Sequence, residues 1–146
     1  MGCDIHLHIE VKIGGKWEHW GSPDVPRNYA LFALMADVRN DGTIKPICQP
    51  KGLPKDIHLL TKLDYNRAKS DYHGMSWFGV DEIIELNGIL NNAAECREFF
   101  QRSYICLEID ILKTWLFRNT FASFREYPKS YPSVLKDVRF VFWFDS

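Results

Sequence analysis

Asp4, His6, His8 and Glu10 recur at every second position of the opening residues MGCDIHLHIE, and a carboxylate beside two imidazoles could grip a metal, move a proton or hold an anion. Between them Cys3, Ile5, Leu7, Ile9, Val11 and Ile13 are all apolar, so the stretch reads as a strand with one core face and one face able to do chemistry. His6 and His8 have the H-x-H spacing that places their Cα atoms about 6.5 Å apart on one strand face. Asp4 or Glu10 could add a carboxylate ligand, and His73 a third imidazole. No H-E-x-x-H pattern or cysteine cluster accompanies the pair, so no metal is assigned and a His6/His8 site stays the weaker alternative.

A second constellation is Asp71-Tyr72-His73-Gly74-Met75-Ser76-Trp77. His73 could serve as acid, base or phosphate donor, with Trp77 as a stacking plane. Trp77 reads more readily as a core anchor, and Ser76 as a partner for loop backbone. Arg27-Asn28-Tyr29 stands just ahead of a helix start, where an arginine fork and free N–H groups could receive a phosphate or carboxylate. Lys51-Gly52-Leu53-Pro54-Lys55-Asp56 carries two lysines in a proline-framed turn but is no P-loop. None of these sets is a complete nucleophile and base, and Cys3 has the wrong parity to face His6.

The elements that must position these groups follow from periodicity. Gly14-Gly15 predicts a hairpin into Lys16–Trp20. Asn28 caps a helix through Ala30–Ala36, ended by Arg39-Asn40-Asp41-Gly42. Thr43 to Met75 is irregular, with room for a short helix from Ile57 to Leu63 capped by Asp56. Val80–Leu86 reads as a short helix stopped by Asn87-Gly88, and Asn92 to about Phe124 as a long one. Val138–Phe144 is an unbroken apolar strand, buried on both faces or nearly so. The expected fold is therefore α+β, one domain over residues 1–146: an antiparallel sheet of the N-terminal hairpin and C-terminal strand packed on the long helix. The central irregular segment covers the sheet's other face and leaves a cleft over Asp4, His6 and His8.

A 146-residue chain can bury a core without staples. Its net charge of −1 excludes a general nucleic-acid or anionic-membrane binder, and no apolar run could span a bilayer. Cys3, Cys48, Cys96 and Cys106 form no C-x-x-C pair, and no secretory signal precedes the first strand, so the expectation is a reducing cytoplasm with buried free thiols. Aromatic content is high at 14%, enough to furnish a pocket or interface as well as a core. The composition leaves oligomeric state open, a homo-oligomer included.

Met1 to His6, Arg27 to Tyr29, Pro50 to Asp56, Asp71 to Trp77 and Phe142 to Asp145 together resemble a family of small, mostly uncharacterised proteins encoded by phages, prophages and some bacteria. Its members open on Met-Gly-Cys-Asp-Ile-His, carry His at the His6 position and do not reliably carry it at the His8 position. The resemblance implies a shared pocket of Asp4, His6, Arg27, Tyr29, Asp71, His73, Ser76 and Trp77. It also implies, by analogy, a role against host defence through sequestering a nucleotide second messenger. The leading expectation is a cofactor-free cytoplasmic protein binding a small anionic, nucleotide-derived ligand. Tyr29 and Trp77 would stack on it, and Arg27, His6 and His73 would pair with its phosphates. The alternative is a phosphoester or glycosidic hydrolase with His6 and His73 as acid and base and Asp4 orienting an imidazole. A third is a protein-binding inhibitor with an exposed apolar patch. The first two need His6 and the Asp71–Trp77 region to line one hollow.

Overall fold

In a computed structural model of the protein, which describes residues 2–93 and 138–146, the alternating opening residues form β1 (Ile5–Ile13). Gly14 and Gly15 turn the chain with φ of 59° and 79°. Positive φ at both positions is what a two-residue hairpin needs to match the strand twist, and β2 (Lys16–Gly21) returns antiparallel. β4 (Val138–Asp145) lies antiparallel along the other side of β1, and β3 (Tyr72–Phe78) along the far side of β4. The sheet order is β2-β1-β4-β3.

On the apolar face Ile5, Leu7, Ile9 and Val11 stand opposite Phe144, Phe142, Phe140 and Val138. This face packs on α1 (Tyr29–Ala36) and α3 (Val80–Ala93) through Leu31, Phe32, Leu34, Met35, Ile83 and Leu86. Each such side chain contributes roughly 1.5–3 kcal/mol when fully buried. α1 begins as read, with Asn28 Oδ1 accepting the Leu31 N–H at 3.1 Å, and ends on Asp37 in the left-handed region. The class is α+β, with the hairpin and C-terminal strand in one antiparallel sheet.

The opposite face is covered as well. α2 (Leu59–Asn66) lies over it, its start capped by the His58 side chain, where the sequence suggested Asp56. The Asp56 carboxylate is instead taken by Arg139 and Trp17. Two further expectations are corrected. α3 runs through Asn87-Gly88 to Ala93, because Ile89 continues the stripe that packs on the core; that contact offsets the about 1 kcal/mol a helical glycine costs. Tyr72–Phe78 is a strand and not a loop. Between His73 and Ser76 it carries an extra residue, with Gly74 at φ 64°, the signature of a glycine bulge. The long helix expected after Asn92 lies, beyond Ala93, outside the described residues. No helix among the described residues is long and apolar enough to cross a membrane.

Candidate ligand site

The polar parity of β1 does converge on partners, but most of those partners belong to the protein itself. Arg27 closes its fork on Asp4, Nε to Oδ1 and Nη2 to Oδ2 both at 2.8 Å, and this hydrogen bonding holds the Asp4 carboxyl below its usual range. His6 Nε2–H donates to Asp145 Oδ2 at 2.8 Å while its ring lies against Tyr72 and Trp143. The Tyr29 hydroxyl accepts the Cys3 N–H at 3.2 Å. Asp4, His6, Arg27 and Tyr29 are thus brought to one end of the sheet, where the arginine and the imidazole expected to grip a ligand are satisfied by Asp4 and Asp145.

Further along, α2 seals the face. His8 is 4% exposed and Glu10 is fully buried. Arg139, directly opposite Glu10 on β4, donates Nε–H and Nη2–H to Glu10 Oε1 at 2.9 and 2.6 Å. Thr61 Oγ1 and the His58 N–H complete the other oxygen at 2.6 and 3.1 Å. A buried ion pair satisfied this fully is tolerable, and here it ties α2 to the sheet. His8 Nε2–H donates to Asp64 Oδ2 at 2.7 Å; its Nδ1 therefore accepts, and His19 Nε2 is the donor at 2.9 Å. Burial pushes both imidazoles below their ordinary value, for His8 against the pull of Asp64 and for His19 with help from His8 and His58. No group of three potential ligands among the described residues could hold a metal ion.

The Asp71–Trp77 stretch does not meet His6 as a unit. Trp143 and Phe144 are neighbours on β4 and point to opposite faces; His6 pairs with the first and His73 with the second. His73 therefore stands on the other side of the sheet, its ring against Phe144 and its Nε2 within 2.7 Å of Ser146 Oγ. The acid and base imagined in His6 and His73 are separated by the sheet. Ser76 is buried, its hydroxyl accepting the Lys51 N–H, and Asp71 is exposed in the 3-10 turn before β3. The glycine bulge restores Trp77 to the face of His8 and Val141.

Trp77 there lines a cavity of ≈ 560 Å³ with Lys12, Trp17, Lys51, Lys55, Asp56 and Arg139, and Leu53 and Pro54 add apolar lining. Its walls come from all four strands and from the proline-framed turn. That turn is fastened to the β3 bulge by Gly52 N–H to Met75 O at 2.8 Å. Lys51 Nζ sits 3.7 Å from the Trp77 ring centre and pairs with Glu82 at 2.7 Å. The Arg139 guanidinium lies 4.0 Å from the Trp17 ring centre, and its Nη1–H donates to Asp56 and holds that carboxyl below the usual range, with a smaller contribution from Trp17 Nε1–H, which donates to the same carboxylate. Lys12 and Lys55 form no ion pair among the described residues. Lys12 Nζ lies 5.7 Å from the Trp17 ring centre. Two indoles and two ammonium groups without a carboxylate partner among the described residues suit a ligand with a ring and negative charge.

Of the expected set, only Trp77 reaches this cavity. Lys12, Trp17 and Arg139 carry only hairpin and strand signals in the sequence, and Lys51 and Lys55 stand in a turn that matches no phosphate-binding pattern, so no local motif marks this site. Elsewhere α2 turns Thr61, Asp64 and Tyr65 toward the sheet and leaves Leu59, Leu60 and Leu63 exposed. Comparisons with protein-family models, curated proteins and solved structures find no match to the chain.

Proposed function

We propose that this protein binds a small anionic, nucleotide-derived ligand in the cavity between Trp17 and Trp77. The observation that carries the reading is the pairing, in one hollow, of two indole planes with Lys12 and Lys55, cations that no carboxylate of the described chain neutralises. Stacking would supply affinity for a base, and the lysines would meet phosphate oxygens as charge-assisted donors. The overall charge of −1 argues for a discrete ligand over a nucleic-acid backbone. The phage setting that the sequence resemblance implies gives the proposal its biology: sequestration, in the cytoplasm of the host, of a nucleotide signal used in defence.

Titrating the protein with mono- and dinucleotides while following tryptophan fluorescence tests this. Saturable quenching, with the ligand recovered chemically intact after denaturation, is the expected result. Silence across the panel would overturn the proposal, and recovery of cleaved ligand would replace sequestration with catalysis.

A further inference from the structure

We infer that the ligand presents two planar rings joined through phosphate, a dinucleotide and not a single base. This rests on the small-anion reading above and narrows it. Trp17 and Trp77 belong to the two edge strands, three strand spacings or about 14 Å apart. Their rows differ along the strands too: Trp17 faces Lys12 on β1, whereas Trp77 faces Val141 on β4, which in turn faces His8. Four residues add about 13 Å, so the two backbones are roughly 20 Å apart before twist. Two indoles so rooted, and not in ring contact, are separate platforms. A clamp for one base needs its two rings parallel and about two ring thicknesses apart.

Each platform is braced in its own way, Trp17 by Arg139 and Asp56 and Trp77 by Lys51, so neither needs the other to be positioned. The cavity that joins them has the size range of drug-sized ligands and is bordered by Lys12 and Lys55, which form no ion pair among the described residues and are placed to receive a phosphodiester linking two bases. A mononucleotide can use one indole only and forfeits the second stacking contact.

The test is calorimetric, on the full-length protein, with adenosine and guanosine monophosphates, the corresponding linear and 3′,5′-cyclic dinucleotides, and a ten-nucleotide single strand. At least one dinucleotide should bind one per chain and about tenfold or more tighter than its mononucleotide, since stacking one further base is worth about 1–3 kcal/mol. Trp17→Ala and Trp77→Ala should each weaken that dinucleotide by about 5- to 100-fold. Trp77→Ala should act alike whether or not Trp17→Ala folds, and the wild-type comparison needs neither variant. Equal affinity for mono- and dinucleotide, or two mononucleotides bound with no gain on linking them, overturns the inference and leaves the broader proposal standing. Tighter binding of the decanucleotide overturns it in favour of a strand. Absence of binding by every probe removes both.

Discussion

His8 and His19 share one hydrogen across neighbouring strands, Nδ1 to Nε2 at 2.9 Å, beneath a helix whose Asp64 holds the other nitrogen of His8. The arrangement has room for one proton between the two facing nitrogens. A second would set N–H against N–H. Glu10 and His6 on β1 and His58 at the start of α2 stand around the pair as its remaining titratable neighbours.

The consequence is a defined pH dependence. Both imidazoles titrate below their ordinary 6.5 in the folded protein, so the unfolded chain binds more protons as pH falls. Their contribution to stability is complete above about pH 6.5 and is lost as pH drops through the lower folded values. Asp4 and Asp56, lowered from 3.8, contribute above that value and are lost only in a more acidic window. Urea midpoints measured from pH 7.5 to 5 should fall, and His19→Gln, which keeps a donor without the charge, should flatten the curve. An unchanged slope in that variant would count against the shared-proton account.

Glu10 and Arg139 should be the most expensive polar pair to break. Arg139→Met leaves a fully buried carboxylate with only Thr61 and a backbone N–H for company, at a cost of about 3–5 kcal/mol. The double change Glu10→Met/Arg139→Met should recover much of that loss, because no charge remains buried. Chemical denaturation of the two variants checks the ordering; a double variant no more stable than Arg139→Met would contradict it.

Gly74 should tolerate no side chain. A Cβ there would lie 2.9 Å from Phe144 and 3.0 Å from Val38, on a backbone at φ 64°. Gly74→Ala should therefore cost about 1–2 kcal/mol for the left-handed conformation and about 1–3 kcal/mol more for overpacking. Gly14 has a similar φ with open space around it, so Gly14→Asn should be nearly neutral. Thermal melts that ranked the two the other way would show that the bulge is not the constraint described.

Ligand affinity should follow the cavity and not the strand-1 end. Lys12→Ala with Lys55→Ala should weaken nucleotide binding about tenfold or more and flatten its salt dependence. His6→Ala and Arg27→Ala should leave affinity unchanged, since those groups are engaged by Asp145 and Asp4. Isothermal titration at two ionic strengths separates these outcomes, and a loss of binding in Arg27→Ala alone would return the site to the other end of the sheet.

The elements that could be read in advance are those whose signals are local. β1 announces itself by alternation, its turn by two adjacent glycines, α1 by Asn28 and β4 by a run of apolar residues that only a covered central strand can bury. β3 was hidden because Gly74 and Met75 interrupt its two-residue period; the bulge swaps parity midway, so no single alternation runs from Tyr72 to Phe78. Asp56 has the side chain of a cap for α2, but Arg139 and Trp17 engage its carboxylate and His58 caps the helix instead.

Amino-acid order by itself determined which side chains share a face of β1, where the first hairpin turns, and that the class is α+β with an antiparallel sheet, because these depend on neighbours two to four residues apart. Tertiary structure alone decided what those side chains meet. Asp145 and Arg139 reach His6 and Glu10 from the far end of the chain, and the bulge sends His73 and Trp77 to opposite faces. The cavity is assembled from Lys12, Trp17, Lys51, Lys55, Trp77 and Arg139, residues on four strands and a turn. Contacts of such long sequence separation leave no periodic trace; they arise from the register in which strands pair and from which charge finds its partner first.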